Sequence, residues 1–250
     1  MPLAVTKIIE LVFPQQTNHH GTLYGGTALA LMDKTAFLTA SRFARRTLVT
    51  ASSQRIDFIA PAKKGQIVEL TGAIERVGTT SITAAVELYA EDLLTGDRVL
   101  CTRGSFTFVA VDGKEPIKPD AQNDDALPPH GVHMMEMVFP GNTNHHGTLY
   151  GGTALELMGK AAFVAATRFC RQVMIMTVAE RTDFHAPALE GELVDLVATP
   201  TKLSGSDLTV AVAMHAENLL TGARRLCTRG HFTMQARDAA GAAIAVARQL

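Results

Sequence analysis

The amino-acid sequence predicts an α+β fold built twice, each half an antiparallel sheet wrapped around one central helix. Three observations predict it. The chain repeats with a fixed offset of 126 residues: Asn144 minus Asn18, Asp183 minus Asp57, Gly222 minus Gly96 and Gly230 minus Gly104 all give that number. Each copy holds a single long helical stretch that is apolar on most sides, as a helix buried in a core must be. The rest of each copy reads as about five strands, β-branched or alternating, separated by turn residues. Two repeats of this length point to two like domains related by approximate two-fold symmetry, not to a solenoid.

The elements follow in order. The opening MPLAVTKIIELVF has the look of a signal peptide, but its counterpart GVHMMEMVF lies deep inside the chain. Both are therefore read as a first strand. Asn18, His19, His20 and Gly21 form a turn-prone cluster. Gly25-Gly26 permits close backbone approach or positive φ, and Thr27 is placed to cap a helix. From Ala28 to Phe43 there is no Gly or Pro, and Leu29, Leu31, Met32, Ala36, Phe37 and Ala40 spread round the helix. At roughly 25 Å long, it is too polar at Asp33, Lys34 and Arg42 to cross a membrane. Strands are expected at 47–58, 66–77, 81–91 and 98–111. In the second copy they fall at 174–184, 193–203, 207–217 and 224–235. The stretch 112–130, rich in Pro, Asp and Asn, reads as a linker. The expected domains are 1–111 and 131–236. The Ala-rich tail, 237–250, reads as a short helix or a disordered end.

The 250 residues carry a formal net charge of −1 and 47% hydrophobic residues. That suits a well-cored globular protein and gives no global field for nucleic acid or an anionic membrane. Cys101, Cys170 and Cys227 are odd in number and show no metal-like spacing. A reducing, cytoplasmic setting is the reading, and core thiols are favoured over nucleophiles. Adjacent His19-His20 and His145-His146 should point apart, with no carboxylate or thiol spaced to complete a metal site. No metal and no cofactor are expected.

Asp33 is the residue that stands out. It sits about two turns inside a buried helix, where a carboxylate is costly unless paired, hydrogen-bonded or lining a wet cleft. The second copy has Gly159 there. Asn18 and Asn144 can orient a water or a carbonyl, or serve only as turn residues. The pairs Gly25-Gly26 and Gly151-Gly152 offer backbone N–H groups at a helix N-terminus, suited to an oxyanion or a phosphate. Alternatively, they only allow tight helix packing.

The ordered set N-x-x-G-x-x-x-G-G, a helix carrying L-M-D, then V-T-A-S, D-F-x-x-P-x-x-x-G and V-G-T-T-S resembles the hotdog-fold acyl-CoA thioesterases in their tandem form. The resemblance spans about residues 5–111 and 131–236. It implies hydrolysis of acyl-CoA to a free acid and CoA without metal or cofactor, by chains that assemble further, three together. The second copy departs from the pattern: besides Gly159 it has Met176 in place of Thr50, and Lys202-Leu203-Ser204-Gly205-Ser206 in place of the V-G-T-T-S loop. Glu156, one turn before Gly159, would be displaced by about 4.5 Å along the helix and is a poor substitute.

Under this reading Asp33 is the general base or the nucleophile. It lies about 9 Å down the helix from its own Thr27 turn, so the turn of the other repeat is the better partner. The resemblance implies the same sharing. The expected catalytic set is Asp33 and Thr50 with Asn144, Gly151 and Gly152. Arg55, Lys63, Lys64, Arg76, Arg181 and Lys202 are candidates to meet the CoA phosphates. The competing readings are a non-catalytic acyl-CoA-binding module and a hotdog dehydratase or hydratase. The latter would need a His in the helix, and neither helix has one.

Overall fold

The computed structural model describes residues 6–120 and 127–247; the start of the expected first strand and the middle of the expected linker lie outside them. The chain forms two compact units, each with one sheet and one long helix. In the first unit β1 (Thr6–Leu11) precedes α1 (Gly25–Ala44). Then come β2 (Leu48–Ser53), β3 (Asp57–Phe58), β4 (Ile67–Val77), β5 (Ser81–Glu91) and β6 (Arg98–Ala110). The second unit repeats this as β7 (Val132–Met137), α2 (Gly151–Cys170), β8 (Val173–Ala179), β9 (Asp183–Phe184), β10 (Leu193–Ser204), β11 (Asp207–Glu217) and β12 (Arg224–Arg237). The sheets run β1-β4-β5-β6-β2 and β7-β10-β11-β12-β8, antiparallel throughout, with β3 on β6 and β9 on β12. This is the expected α+β hotdog architecture, present twice. No helix among the described residues is long and apolar enough to cross a membrane.

The expected strand at 47–58 is interrupted. Residues 54–56 leave the ladder and pass over Gly104 of β6, where a Cβ would lie 2.6 Å from Ile56 Cγ1 and 3.2 Å from Arg55 O. The second unit does likewise: a Cβ on Gly230 would lie 2.8 Å from Thr182 Oγ1.

The helix also differs from the expectation of burial all round. Its last two turns are buried, and Met32, Ala36, Leu38 and Thr39 are fully so. Along one line, however, Gly26, Leu29 and Ala30 are exposed, and Asp33 and Phe37 are half-buried. The curled sheet leaves this stripe open, and it is the stripe that carries the carboxylate.

Of the expected linker, residues 112–120 lie along the first unit. Arg46 pairs with Asp112 at 2.6 Å, Arg45 with Asp120 at 2.8 Å, and Ile117 is buried. The described part of the tail is not helical. Asp238 Oδ1 accepts the N–H groups of Ala240 (2.9 Å) and Ala242 (2.8 Å), and Gly241 turns the chain at φ 83°. The N–H of Ile244 then returns to Ala236 O at 3.0 Å. A side-chain acceptor and a left-handed glycine outweigh the helical preference of alanine.

Helix and sheet approach closely at Gly72 of β4. A Cβ there would lie 2.2 Å from Thr39 Oγ1 and 3.3 Å from Thr35 O. Thr39 Oγ1 is itself held, donating to Thr35 O at 2.7 Å. In the second repeat the volume is exchanged: Ala198 replaces Gly72, and Ala161 and Ala165 replace Thr35 and Thr39. Gly72→Ala should therefore lower stability by about 1–3 kcal/mol through overpacking, measured by urea unfolding. Adding Thr39→Ala should recover most of the loss. A single variant as stable as wild type would contradict this packing.

Candidate functional site

The turn before each helix is built by asparagine. Asn18 Oδ1 accepts the N–H groups of His20 (2.9 Å) and Thr22 (3.3 Å), and its Nδ2 donates to Thr22 Oγ1 at 3.0 Å. Asn144 repeats the pattern with His146 (2.9 Å) and Thr148 (3.4 Å), donating to Thr148 Oγ1 at 2.9 Å. Gly21 and Gly147 complete the turns at φ 72° and 69°. The turn reading of asparagine is thus correct. It also leaves capacity, because an amide nitrogen has two donors and this bond uses one.

The helix begins at the glycine pair, earlier than expected. Tyr24 and Tyr150 are the capping residues, extended and without a side-chain cap, and Thr27 lies in the first turn. The first intrahelical bond is Ala28 N–H to Tyr24 O, and Ala154 N–H to Tyr150 O in the second unit, each 3.0 Å. The N–H groups of Gly25, Gly26 and Thr27, or of Gly151, Gly152 and Thr153, therefore have no intrahelical partner. They project from the positive end of a helix dipole. A Cβ on Gly151 would meet nothing within 4 Å, so tight packing does not account for this glycine. A Cβ on Gly152 would lie 2.8 Å from Tyr150 Cε1, which shows the Tyr150 ring folded back on the turn.

Each glycine turn borders a cavity. In the first unit it measures about 350 Å³ and is lined by Asn18, Gly25, Phe58, Ile59, Pro61 and Cys101 among others. In the second it measures about 310 Å³, with Thr148, Gly151, Phe184, His185 and Pro187 in its wall. The D-F-x-x-P segment supplies the wall opposite the glycines in both. Neither Asp33 nor Thr50 lines the first unit's cavity. Asp33 stands eight residues after Gly25, about 12 Å along the helix.

Asp33 Oδ1 accepts the hydroxyl of Thr50 at 3.2 Å. Thr50 lies on edge strand β2, where the register with β6 shifts between Thr50 and Ser52; such a bulge re-aims side chains. The carboxylate is half-buried and Thr50 exposed, so the pair faces outward. In the second unit, Met176 reaches the matching place: a Cβ on Gly159 would lie 3.0 Å from Met176 Cε. The two departures from the pattern are thus one physical change, a thioether methyl over a glycine in place of a hydroxyl on a carboxylate. Glu156 is exposed.

The neighbouring histidine rings do not point apart. His19 and His20 lie side by side with ring centroids 3.8 Å apart and planes tilted by 44°, as do His145 and His146. Among the described residues, no group of three His, Cys, Asp or Glu could hold a metal ion. Cys101 and Cys227 are buried, and burial pushes both thiols up from the usual range, which disfavours the thiolate. Arg55 and Arg181, proposed for phosphates, each engage a neighbouring carboxylate, Asp57 at 2.7 Å and Asp183 at 2.9 Å.

A family model described as the thioesterase superfamily matches residues 20–96 and 146–223, one stretch in each repeat and together more than half of the chain. The chain belongs to the thioesterase superfamily. An acyl-CoA hydrolase from Agrobacterium tumefaciens superposes with a TM-score of 0.86 at 42% identity, covering 96% of this chain and 98% of that one. The Bacillus subtilis protein YkhA, described as an uncharacterized acyl-CoA thioester hydrolase, is 41% identical over 101 residues, 40% of this chain and 59% of that one. Mouse acyl-coenzyme A thioesterase 11 is 24% identical over 256 residues, 84% of this chain and 43% of that one. This superfamily member spans about half the length of the curated relatives it matches.

The asymmetry of this thioesterase-superfamily chain can be tested at Gly159. Gly159→Asp alone should destabilise by about 1 kcal/mol or more, because the new side chain meets Met176. With Met176→Thr in the same chain the loss should largely disappear, as followed by thermal unfolding. Equal stability of the single and double variants would show that Met176 does not fill the place of the carboxylate.

Proposed function

We propose that this chain hydrolyses acyl-CoA thioesters to the free acid and CoA. The observation that carries the proposal is the half-buried, outward-facing Asp33 carboxylate held by Thr50. The membership in the thioesterase superfamily and the acyl-CoA hydrolase and thioesterase names of the relatives support the substrate class. Asp33 either takes a proton from water as the water adds to the thioester carbon, or adds to that carbon itself, expelling CoA and giving an acyl-aspartyl anhydride that water then cleaves. Both routes need the ionised carboxylate, and both end with CoA leaving as the thiol and the acyl group leaving as the acid. The charge that develops on the carbonyl oxygen needs donors. The N–H groups of Gly151 and Gly152 and the spare amide proton of Asn144 are assigned to it.

Asp33 works with the second repeat's turn, not with its own. What supports this is that Asp33 is absent from the lining of the first unit's glycine-turn cavity, about 12 Å along the helix from it. The second repeat's own matching place is blank at Gly159, giving one complete set per chain. We place the protein in the cytoplasm, where its three buried free cysteines stay reduced. We also propose a homo-oligomer of three chains, the assembly that the resemblance to the tandem hotdog thioesterases implies, with the half-exposed Val49 and Val178 on the edge strands left to cover. Its mass in solution by light scattering should be three times 26.7 kDa; a 26.7 kDa species would reject it.

The activity is measured as free-thiol release from a panel of acyl-CoAs. Asp33→Asn keeps the shape and removes the base or nucleophile, so kcat should fall by about 10²–10⁴-fold with the fold intact. Release within a few-fold of wild type would remove Asp33 from the reaction. The choice of asparagine is tested by a matched pair. Asn18 and Asn144 hold the matching turn N–H groups, so alanine should cost a comparable amount of stability at both. Asn144→Ala should lower kcat at least about ten-fold, or 1.4 kcal/mol of barrier, while Asn18→Ala leaves it nearly unchanged. The reverse result would put the site within the first repeat.

A further inference from the structure

The two glycine-turn cavities differ in how their walls are fastened. In the second unit Arg225 Nη1 donates to Glu192 Oε1 at 2.8 Å, and Nη2 reaches Oε2. The same guanidinium gives Nε (3.1 Å) and Nη2 (2.6 Å) to the carbonyl of Pro187. Glu192 Oε2 also accepts the N–H of Leu189 at 2.8 Å. One buried carboxylate and one guanidinium therefore pin both sides of the segment that walls the cavity beside Gly151. In the first unit the corresponding residues are Gln66 and Val99. Gln66 Oε1 keeps the bond to the N–H of Lys63 at 2.7 Å, but Val99 has no donor to give Pro61.

Folding does not demand the ion pair. The first unit makes the same strand order and the same segment without it. A buried carboxylate is costly to keep and is often replaceable without loss of stability, so its presence on one side calls for another reason. Its position offers one: Pro187 can only accept through its carbonyl, and a forked guanidinium fixes that carbonyl's direction, as a lysine could not. We propose that Arg225 and Glu192 are positioning residues that hold the wall segment around Pro187 in the shape that receives the thioester arm of acyl-CoA. The proposal rests on the thioesterase reading and on the assignment of Gly151 to the site. Neither residue touches the reacting atoms. The wall contacts substrate and transition state alike, so its loss should appear in KM rather than kcat.

The test installs the first repeat's pair in the second, Arg225→Val with Glu192→Gln, so that no buried charge is orphaned. KM for a short-chain acyl-CoA should rise about ten-fold with kcat within about three-fold. The reciprocal exchange, Val99→Arg with Gln66→Glu, should leave both constants unchanged. Arg225→Lys keeps the charge and the fold but not the fork, and should give an intermediate KM; it carries the test if the double variant does not fold. Asp33→Asn is measured alongside. If Asp33→Asn is inactive and the double variant and Arg225→Lys keep the wild-type KM, the positioning proposal is wrong and the thioesterase reading stands. If the two exchanges raise KM equally, the effect is general loosening and the proposal fails. If Asp33→Asn is fully active, the catalytic assignment fails and takes this proposal with it.

Discussion

The structure depends on pressing a long helix into the hollow of a curved antiparallel sheet. The contact is tight enough at Gly72 that the helix can come no nearer, and the second unit reaches the same fit by trading threonines for alanines. The rear of the helix packs into a core otherwise made by the strands, contributing Met32, Ala36 and Leu38 in one unit and Met158, Ala162 and Val164 in the other. The same geometry forces the front of the helix to remain open. A carboxylate on a buried face would bear a large desolvation cost. On the open stripe Asp33 keeps access to water while a single hydroxyl fixes its direction. Position on the helix therefore decides that Asp33 is tolerated as a carboxylate.

Much of this was legible in the sequence. The offset of 126 residues announced two like units, and the alternating segments placed most strands to within a few residues. Asp33 was conspicuous as a charge in an apolar helix. Other features were not legible for definite reasons. Glycine is a poor helix former, so the pair at 25–26 read as a turn. At the first helical positions, however, the usual penalty is small, and Tyr24 caps through backbone alone, leaving no sequence mark. The burial of the helix was overestimated because apolar residues can line a cleft as well as a core. The segment 112–120 looked like a free linker, yet Arg45 and Arg46 hold it through carboxylates more than sixty residues away.

Comparison of the repeats shows what a single chain can reveal without relatives. Where both copies agree, as at the asparagine turn, the fold alone can explain the residue. Where they differ, one copy shows what the fold can do without. Thr50 and Asp33 against Met176 and Gly159 is one such pair. Arg225 and Glu192 against Val99 and Gln66 is another, hidden from inspection because the partners are 33 residues apart, one on β12 and the other just before β10. In both cases the polar member is replaced by an apolar or neutral one with the strand pairing undisturbed.

The thiols have a practical consequence. Cys101, Cys170 and Cys227 are all buried, and desolvation pushes each above the ordinary thiol range. Disulfide reagents react with thiolates that they can reach. The folded protein should therefore give little colour with a chromogenic disulfide, so that colour developing on addition of an acyl-CoA would report a free thiol that is not the protein's own. A slow burst matching three equivalents per chain would instead mark protein that has lost its core, which makes the same reagent a gauge of sample integrity.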